Sequence, residues 1–387
     1  MLPIRINMGN SVSILFAGDF CSKPSTSLIK VSDGIKELLD TCEIKVVNFE
    51  VPLKPEVSAI NSGREQFFQN DDAPDFLKSL GFNLFSIANN HMFDWGNEGF
   101  RKTKSALGES AFGAGTYDEA YEVKVVEQSG LRIGFMAVSF AAYKGVFDDV
   151  DNHDGLGCAY INDLKVNHVI VEAKKQLDYL FILPHDGIEY IDVPLPETIA
   201  RYRDFIDYGA DGVIAGHPHC PQGWEEYKGR PIFYSLGNFF FNSKEDTLYR
   251  AWNRPHWYEG RCVRMTLTTD GIKWSVINTK NIDNVAIEID DAEASDMHNA
   301  QLLNYINDKE AYHSYLNPYL VKQYQSDLLK FDTTFHPQFL RQSIKALCRQ
   351  ILDKLLGRRR NTVDELVYML KNDLRRTRFL RAAKSVK

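Results

Sequence analysis

The chain has 387 residues, a length that favours roughly two domains. Its composition, 44% hydrophobic and 25% charged residues, excludes a disordered protein and favours a globular one. Its six cysteines are scattered and form no CxxC pair, which excludes a zinc ribbon and a dense disulfide framework. The net charge of −7 is unevenly spread, because residues 341–387 carry 14 Lys and Arg against 4 Asp and Glu.

The N-terminal segment does not have the pattern of a targeting sequence. Residues 1–18 contain no long apolar core and no small-residue cleavage site. No stretch of the chain approaches the ~18 consecutive apolar residues that a membrane-spanning helix requires. The sequence therefore predicts a cytoplasmic protein.

The first third of the chain alternates predicted strands and helices. Apolar runs that end in polar residues predict strands at 11–19, 44–53 and 82–91. Helical spacing predicts one helix at 73–81, which ends at a glycine, and another that opens at 96–110. This alternation is typical of layered α/β proteins.

The middle of the chain continues the alternation. A helix is predicted at 196–211, and an Asp-Gly turn closes a predicted hairpin at 261–280. Four further strands are predicted from apolar runs, at 131–140, 176–185, 212–219 and 230–241. Because these runs are nearly continuous, the sheets are expected to be buried.

The composition changes near Asp291, and we expect a first domain at 1–285 and a helical, basic C-terminal segment at 286–387. The basic residues are either a solvated helix face or a surface for an anionic membrane, by peripheral association, or for an acidic protein. Nothing near them resembles a DNA- or RNA-binding motif, so nucleic acid is not an expected partner.

Polar side chains recur where the predicted strands end, and they are of the kinds that bind metals. Ligands collect at the carboxyl ends of strands in α/β sheets. Carboxylate, amide oxygen and imidazole donors suit Mn²⁺, Fe or Zn²⁺. The sequence therefore predicts a site for one or two divalent metal ions, drawn from Asp19, Glu50, Asn90, His185, His217 and His219.

The motifs GD, NxE, NNHxxDxG, HxGxEY, GHPH and YSLGNF occur in this order between residues 11 and 245. Together they resemble the bacterial capsule-synthesis (CapA-like) family, which belongs with the calcineurin-like metallophosphoesterases. The resemblance implies an α/β fold: a four-layer α/β/β/α sandwich with two mixed sheets and the metal site at the rim. The C-terminal hundred residues carry none of these motifs.

The resemblance also implies a role for each motif residue. One metal would be bound by Asp19 and by His219, and Glu50 would bridge to a second metal held by Asn90, His185 and His217. His91 would protonate the leaving group, and Asp94 would orient it. Candidates for substrate contacts are Glu189, Tyr190 and Asn238.

Two positions depart from the family pattern. Metallophosphoesterases usually carry a histidine two positions after the first aspartate, where this chain has Cys21; its thiol could ligate zinc, but a packed cysteine is the favoured interpretation. Asp186 stands where the family often has an aromatic residue. The first metal site is therefore in question, and a mononuclear centre is an alternative.

Structural interpretations compete with the functional ones at several positions. His217 and His219 could be loop histidines, His185 a core histidine, and Asn90 a helix cap. Asn238 is expected chiefly to shape a turn. For Glu189 and Tyr190, a surface role and a substrate role are equally weighted.

The function predicted from these residues is metal-dependent hydrolysis in capsule or exopolysaccharide biosynthesis, with a phosphoester as the expected bond. The substrate would be a phosphorylated small molecule, a glycan or a polymer. Two alternatives stay open. One is a capsule or poly-γ-glutamate assembly subunit with a structural metal, and the other is an enzyme that acts on amide bonds.

Overall fold

The structure is a computed structural model, and it describes residues 11–56, 66–141, 145–148, 155–242 and 256–331. The basic residues of 341–387, with the helices predicted there, lie outside the described residues. The chain divides into two compact units, the first ending at Ile306 and the second beginning at Asn307.

Nine strands of the described chain form the first sheet, which mixes parallel and antiparallel pairs. The order across the sheet is β2-β17-β16-β15-β1-β3-β4-β5, and β14 pairs with the far end of β1. The strands are β1 (Val12–Ser22), β2 (Lys30–Val31), β3 (Ile44–Phe49), β4 (Leu84–Ser86), β5 (Ala111–Phe112), β14 (Asn238–Asn242), β15 (Glu259–Thr268), β16 (Gly271–Ile282) and β17 (Ala286–Ile289).

The second sheet has the order β12-β13-β11-β10-β8-β7, again counting only described residues, and it is also mixed. Its strands are β7 (Lys124–Gln128), β8 (Leu131–Ser139), β10 (Tyr179–His185), β11 (Gly212–Ile214), β12 (Trp224–Tyr227) and β13 (Arg230–Phe233). Two short strands, β6 (Ala114–Gly115) and β9 (Gly157–Cys158), pair separately.

The two sheets share one hydrophobic core. The ring of Phe16 on β1 packs against Phe135 of β8 at 6.2 Å and against Phe181 of β10 at 5.4 Å between ring centroids. Burying a Phe side chain stabilises the fold by about 1.5–3 kcal/mol. These contacts hold the sheets face to face, and the predicted α/β fold with two packed mixed sheets is confirmed.

Helices flank the sheets, and local sequence fixes their ends. Ser32 caps the first helix, a Thr116–Glu119 capping box opens the fourth, and Gly209 at φ 120° ends the sixth. The helices are α1 (Asp33–Asp40), α2 (Ala73–Ser79), α3 (Gly96–Leu107), α4 (Tyr117–Tyr121), α5 (Leu164–Lys174), α6 (Pro196–Tyr208), α7 (Glu293–Asn307) and α8 (Lys309–Phe331), with 3₁₀ turns at Thr26–Leu28 and Gly108–Ser110.

The domain boundary predicted at 285–286 differs from the boundary between the two compact units, which lies between Ile306 and Asn307. β17 pairs with β16 and β2 inside the first sheet, and α7 belongs almost entirely to the first unit. The described part of the second unit consists mainly of α8, a helix that contains Pro318 in its interior. Among the described helices, none combines the length and the apolarity that crossing a bilayer demands.

The predicted strand at 230–241 is two strands, and this corrects the sequence interpretation. β13 lies in the second sheet and β14 in the first. Gly237, with φ 68°, lies in the link that carries the chain from one sheet to the other. The sequence did not indicate this link, because the residues on both sides of it are apolar. A buried strand and a buried connection between two sheets have similar compositions.

Candidate metal centre

Asp19 lies where three strands of the first sheet meet. It stands opposite Asn48 of β3 on one side and Asn238 of β14 on the other. The register of β1 shifts beside Asp19 in both pairings, and such irregularities re-aim side chains. Asp19 is therefore inside β1 at a bulge, and not at the strand's end as the sequence predicted.

The second sheet reaches Asp19 through the GHPH segment. The backbone N–H of His217 donates to Asp19 Oδ2 at 3.0 Å. A Cβ atom at Gly216 would lie only 2.5 Å from Asp19 Oδ1. Glycine at this position therefore lets the backbone of one sheet approach a carboxylate of the other.

Glu50, which follows β3, is a fully buried carboxylate. Its Oε1 lies 3.8 Å from His185 Nε2 and 3.5 Å from His219 Nε2. Neither carboxylate oxygen of Glu50 has a hydrogen-bond partner among the described residues. Burying a carboxylate is costly unless a cation compensates it, so this residue points to a bound positive charge.

His185, at the end of β10, joins the remaining predicted ligands to Glu50. Its Nε2 lies 2.9 Å from Asn90 Oδ1 and 3.2 Å from His217 Nδ1. Ligand atoms that share an ion with bonds of 2.0–2.2 Å are roughly 2.8–3.6 Å apart. The separations at His185 are of this size.

His219 faces the same place from the other side. Its Nδ1 lies 3.0 Å from Asn238 Oδ1, while its Nε2 faces Glu50. The amide nitrogen of Asn238 donates to the carbonyl oxygens of His219 and Trp257. Asn238 thus orients His219 from a buried position, which is the geometry of a positioning residue and not of a substrate contact.

The buried groups of the centre are driven towards their neutral forms in the protein alone. Burial raises the pKa of Asp19, and burial followed by the charge of Asp19 raises the pKa of Glu50 well above its usual range. Burial lowers the pKa of His217 to about 3 and that of His185 well below its usual value. Neutral imidazole is the ligand form of histidine, and a cation would restore the carboxylates to theirs.

Backbone strain concentrates around these side chains. Four non-glycine residues here adopt left-handed φ angles: Val51 at 65°, Tyr190 at 67°, His217 at 99° and His219 at 55°. Each such conformation costs on the order of 1–3 kcal/mol and persists where the surrounding structure imposes it. Such strain is typical of functional sites.

His91 and Asp94 form a pair beside the predicted ligands. His91 Nδ1 lies 2.9 Å from Asp94 Oδ2, which also accepts the backbone N–H of Phe67 at 3.0 Å. Burial lowers the pKa of His91, but the charge and hydrogen bond of Asp94 outweigh it and raise the pKa. The arrangement fixes the ring and leaves Nε2 as the second titratable nitrogen.

Glu189 and Tyr190 lie at the partly exposed edge of the centre. The charge of Glu189 raises the pKa of His217 and of His219. The Tyr190 ring stacks on His219, with 6.0 Å between centroids. Tyr190 therefore lies beside a predicted ligand, and the substrate contacts of Glu189 and Tyr190 stay predictions.

Two residues of the site went unpredicted. Asn48 Nδ2 donates to Asp19 Oδ1 at 2.7 Å and lies 3.2 Å from His185 Nδ1, so it joins the two sheets. The sequence feature that could have indicated Asn48 is its position two residues before Glu50. In an extended chain this spacing puts the side chains of Asn48 and Glu50 on the same face. Trp257, whose ring lies 5.1 Å from His219, gave no signal because it lies outside every motif.

The two departures from the family pattern have visible surroundings. Cys21 is buried in an apolar cluster with Val51, Phe241 and Trp257, and burial raises the pKa of its thiol well above the usual value. These are the surroundings of a packed thiol. Asp186 is buried and accepts a hydrogen bond from Thr198 on α6 at 3.2 Å.

The residues present suit a divalent metal. One donor atom each from Asp19, Glu50 and His185 lie within 4.8 Å of one another. The two carboxylate oxygens of Glu50 are buried and have no hydrogen-bond partner among the described residues. A cation bound by Asp19, Glu50 and His185 would compensate this charge. The mixture of carboxylate, amide and imidazole donors fits Mn²⁺, Fe or Zn²⁺.

Comparison with known proteins gives a match to one family model. The model of the bacterial capsule synthesis protein PGA_cap matches residues 14–243. This range contains every predicted ligand and the His91–Asp94 pair.

Curated relatives carry related names. The PGA biosynthesis protein CapA of Bacillus subtilis is 32% identical over 205 residues, covering 50% of this chain and 52% of the relative. The capsule biosynthesis protein CapA of Bacillus anthracis is 31% identical over 171 residues, covering 43% of this chain and 42% of the relative. The chain thus spans about half the length of these relatives.

Solved structures include a phosphatase from Mycoplasma pneumoniae, which aligns with a TM-score of 0.44 and 15% sequence identity. The alignment covers 70% of this chain and 94% of that one.

Proposed function

The chain belongs to the bacterial capsule synthesis protein family PGA_cap, and from this premise we propose that it catalyses metal-dependent hydrolysis of a phosphoester during capsule or related polymer synthesis. The observation that carries the proposal is Glu50. Its buried carboxylate has no hydrogen-bond partner among the described residues and lies between Asp19, His185 and His219.

Six side chains would hold the metal or metals in this proposal. They are Asp19, Glu50, Asn90, His185, His217 and His219, and Glu50 would be the ligand shared by the ions if two were bound. A bound divalent cation would supply Lewis acidity towards a phosphoryl oxygen and lower the pKa of water at the site. Asn238 and Asn48 orient ligands, since each bonds a ligand side chain from behind.

His91 is proposed as the group that gives a proton to the departing oxygen. Asp94 holds His91 Nδ1 at 2.9 Å, so the ring can give up or take a proton at Nε2. The charge of His91 lowers the pKa of His185 and of His217, which supports this role. General acid catalysis of this kind contributes typically 10²–10⁴-fold to a rate.

The substrate proposal is a phosphorylated small molecule, glycan or polymer that reaches Glu189 and Tyr190 at the exposed edge. The relatives named for capsule and PGA biosynthesis favour a substrate from polymer assembly. Their names also favour the alternative, an assembly subunit whose metal is structural or which acts on amide bonds. Contact of the basic tail with an anionic membrane or acidic protein stays a prediction, since that tail is outside the described residues.

Hydrolysis of a generic phosphodiester tests the proposal. Purified protein reconstituted with Mn²⁺ is assayed with bis(p-nitrophenyl) phosphate, beside Glu50→Gln and His168→Ala. Glu50→Gln removes the charge that binds the cation and should abolish turnover. His168 is an exposed residue of α5, and its variant should match the parent.

Turnover of a phosphodiester by the parent and loss in Glu50→Gln would support hydrolysis. Metal-loaded protein that turns over no phosphomonoester or phosphodiester would contradict it and favour the assembly subunit. Equal activity in Glu50→Gln would assign the hydrolysis to another site or to a contaminant.

A further inference from the structure

Two lysines share the ring of one phenylalanine beside the candidate metal centre. Lys23 Nζ lies 4.9 Å from the centroid of the Phe68 ring, and Lys54 Nζ lies 5.1 Å from the same centroid. Both lysines are exposed, and Phe68 is half-buried. An aromatic face attracts an ammonium group at such distances through its quadrupole, so Phe68 gathers two positive charges in one place. We call these three residues the Lys23–Lys54 patch.

The charge of the Lys23–Lys54 patch is not neutralised within the described part of the chain. Its two ammonium groups are at most about 10 Å apart, which is about one Debye length, so they repel one another. The Phe68 ring is uncharged, and neither lysine forms an ion pair with a carboxylate among the described residues. The nearby Lys102 shows the contrast, since its Nζ lies 2.7 Å from Asp71 Oδ1. The patch is therefore suited to an anion that comes from outside the chain.

Phe67, the neighbour of Phe68, connects the patch to the candidate centre. The Phe67 ring meets the His91 ring edge-on, with 4.9 Å between centroids. The backbone N–H of Phe67 donates to Asp94 Oδ2 at 3.0 Å, and the same oxygen lies 2.9 Å from His91 Nδ1. The segment that carries the patch thus also holds the His91–Asp94 pair.

Trp95 fixes the patch to the same turn of the chain. Its ring packs edge-on against Phe68, with 6.1 Å between centroids, and Lys54 Nζ lies 5.4 Å from its centroid. Its Nε1–H donates to the carbonyl oxygen of Phe67 at 3.0 Å. Because Trp95 directly follows Asp94, the two ammonium groups lie on the His91 side of the centre.

Lys23 reaches the patch from the end of β1. Its backbone N–H donates to the carbonyl oxygen of Asn242 at 2.9 Å, which extends the pairing of β1 with β14. Side chains two positions apart lie on the same face of an extended chain. Cys21, two positions before Lys23, packs with Trp257, whose ring lies 5.1 Å from His219. Lys23 therefore extends from the face of β1 that borders the centre.

We propose that Lys23 and Lys54 bind an anionic group, a carboxylate or a phosphate, that the substrate carries on its leaving-group side. This proposal rests on the proposed function, in which His91 gives a proton to the departing oxygen. A leaving group next to His91 also lies next to the segment of Phe67 and Phe68, where an oxyanion meets both ammonium groups. The substrate is then a polyanion, with at least one negative charge besides the phosphoester that is cleaved. Phe68 is the positioning residue of this subsite.

Isothermal titration calorimetry of the full-length, Mn²⁺-loaded protein tests the subsite without any need for turnover. One probe is a hexamer of glutamate, which supplies carboxylates, and the other is a hexamer of glycerol phosphate, which supplies phosphates. A hexamer of glutamine is the uncharged control. We expect Lys23→Gln and Lys54→Gln each to raise the Kd of a charged hexamer roughly 3–5-fold, and the double variant to raise it about tenfold or more. The charged hexamer that loses more affinity identifies the anion.

Lys273→Gln is the matched control, because it removes the same charge at the other end of the first sheet. Lys273 is exposed and pairs with Thr266, which pairs with Ser13 near the start of β1. Ser13 and Asp19 are roughly 20 Å apart along an extended strand. We expect Lys273→Gln to bind both charged hexamers as the parent does.

The role of Phe68 has its own test. Phe68→Leu removes the aromatic face that attracts both ammonium groups, so we expect weaker binding of the charged hexamers. Phe68→Tyr keeps this face and should bind them as the parent does. Weakening of the same size in both variants would show that the ring does not position the lysines.

A ratio of two kcat/KM values separates the subsite from the proposed hydrolysis. Bis(p-carboxyphenyl) phosphate carries a carboxylate on each leaving group, and bis(p-nitrophenyl) phosphate carries none. We expect the ratio of kcat/KM for the first substrate over the second to fall roughly tenfold in the double variant. If the parent hydrolysed neither substrate, the proposed function would be contradicted, and the calorimetry would still decide whether the subsite binds anions.

Three results would overturn the proposal of the subsite. One is that neither charged hexamer binds the parent more tightly than the glutamine hexamer does. Another is that the parent and the double variant bind both charged hexamers with equal affinity. The third is weakening of the same size in Lys273→Gln, which would assign the effect to net charge.

Discussion

At the scale of single residues, a variant of His91 can distinguish proton transfer from metal binding. Its side chain has a polar contact with Asp94, and it is not among the predicted ligands. We expect His91→Ala to retain the metal content of the parent while phosphodiester turnover falls roughly 10²–10⁴-fold. Elemental analysis and the turnover assay, run on the same preparation, measure both effects.

Asp94→Asn is the matched variant for this prediction. It keeps the size of the side chain but weakens the hydrogen bond that fixes the ring, so we expect a smaller fall in turnover than in His91→Ala. Loss of metal from His91→Ala would show that this histidine is a ligand and would contradict its assigned role.

The residues of the candidate centre were predictable where they stand next to apolar strands. Asp19, Glu50 and His185 each follow such a run, and the structure brings their donor atoms together. Asn48 and the contacting residues Asp192, Glu259 and His298 were not predicted, because their partners come from distant segments. His256 and His298 have no motif, and only the fold reveals that Glu259 lies between them.

Close approach of the two sheets is an element-scale property that rests on Gly216. A Cβ at this position would lie 2.5 Å from Asp19 Oδ1 and 3.3 Å from its carboxyl carbon. We expect Gly216→Ala to displace Asp19, weaken metal binding and lower the free energy of unfolding by about 1–3 kcal/mol. Metal titration and urea denaturation measure the two effects.

Gly34→Ala is the control, since among the described residues its Cβ would come close only to Cγ1 of Ile289, at 3.1 Å, and to no carboxylate. It lies on α1, and we expect unchanged metal affinity. If Gly216→Ala bound metal as tightly as the parent, Asp19 would not be a ligand whose position the GHPH segment controls.

A second element-scale contact joins α6 to β12. Arg203 donates two hydrogen bonds to Glu225, at 2.8 and 2.6 Å, and the Tyr234 hydroxyl donates a third at 2.7 Å. Burial raises the pKa of Glu225, but these hydrogen bonds outweigh it and lower the pKa below its usual value. The carboxylate form of Glu225 therefore stabilises the folded protein.

We expect Glu225→Gln to lower the free energy of unfolding by about 1–2 kcal/mol at pH 7, since Arg203 is partly exposed. A depressed folded-state pKa gives stability above the unfolded pKa, roughly 4.3, and the stability is lost as pH falls through the folded value. The difference in the free energy of unfolding between the parent and Glu225→Gln should therefore decrease below about pH 4.3. Urea denaturation at several pH values measures it, with the exposed neighbour Glu226→Gln as the control.

If the free energies of unfolding of the parent and Glu225→Gln differed by the same amount at pH 7 and pH 3, the carboxylate charge would contribute nothing to stability. A loss of the same size in Glu226→Gln would assign the effect to net charge and not to the contact with Arg203.

The positions of several strands and helices followed from apolar periodicity, whereas helices such as α1 and α5 were not predicted. The assignment of strands to sheets did not follow from periodicity. The run at 230–241 is mostly apolar, yet β13 and β14 lie in different sheets. The turn at Gly237 is selected by the partners on each side, since β13 pairs with β11 and β14 with β1. Long-range pairing of this kind leaves no local pattern in the sequence.

At the scale of the whole molecule, the two-sheet arrangement came from the resemblance and not from periodicity, which gave only layered α/β structure. Periodicity cannot say how many sheets form or which faces meet. The core answers both questions through contacts such as Phe16 with Phe135 and Phe181. The candidate centre depends on this packing, because Asp19 and Glu50 belong to one sheet and His185 to the other.

Metal binding should therefore stabilise the whole first unit, because its ligands come from both sheets. A ligand that binds only the folded state at a hundredfold excess over its Kd stabilises by about 2.7 kcal/mol, which raises the Tm of a domain of this size by several degrees. We expect Mn²⁺ to raise the Tm of the parent in a thermal scan and EDTA to reverse the rise. In His217→Ala the rise should be smaller, because one imidazole donor is gone, while the exposed His168→Ala should behave as the parent does. An undiminished rise in His217→Ala would mean that the ion binds elsewhere, and the two sheets would then owe none of their cohesion to a shared metal.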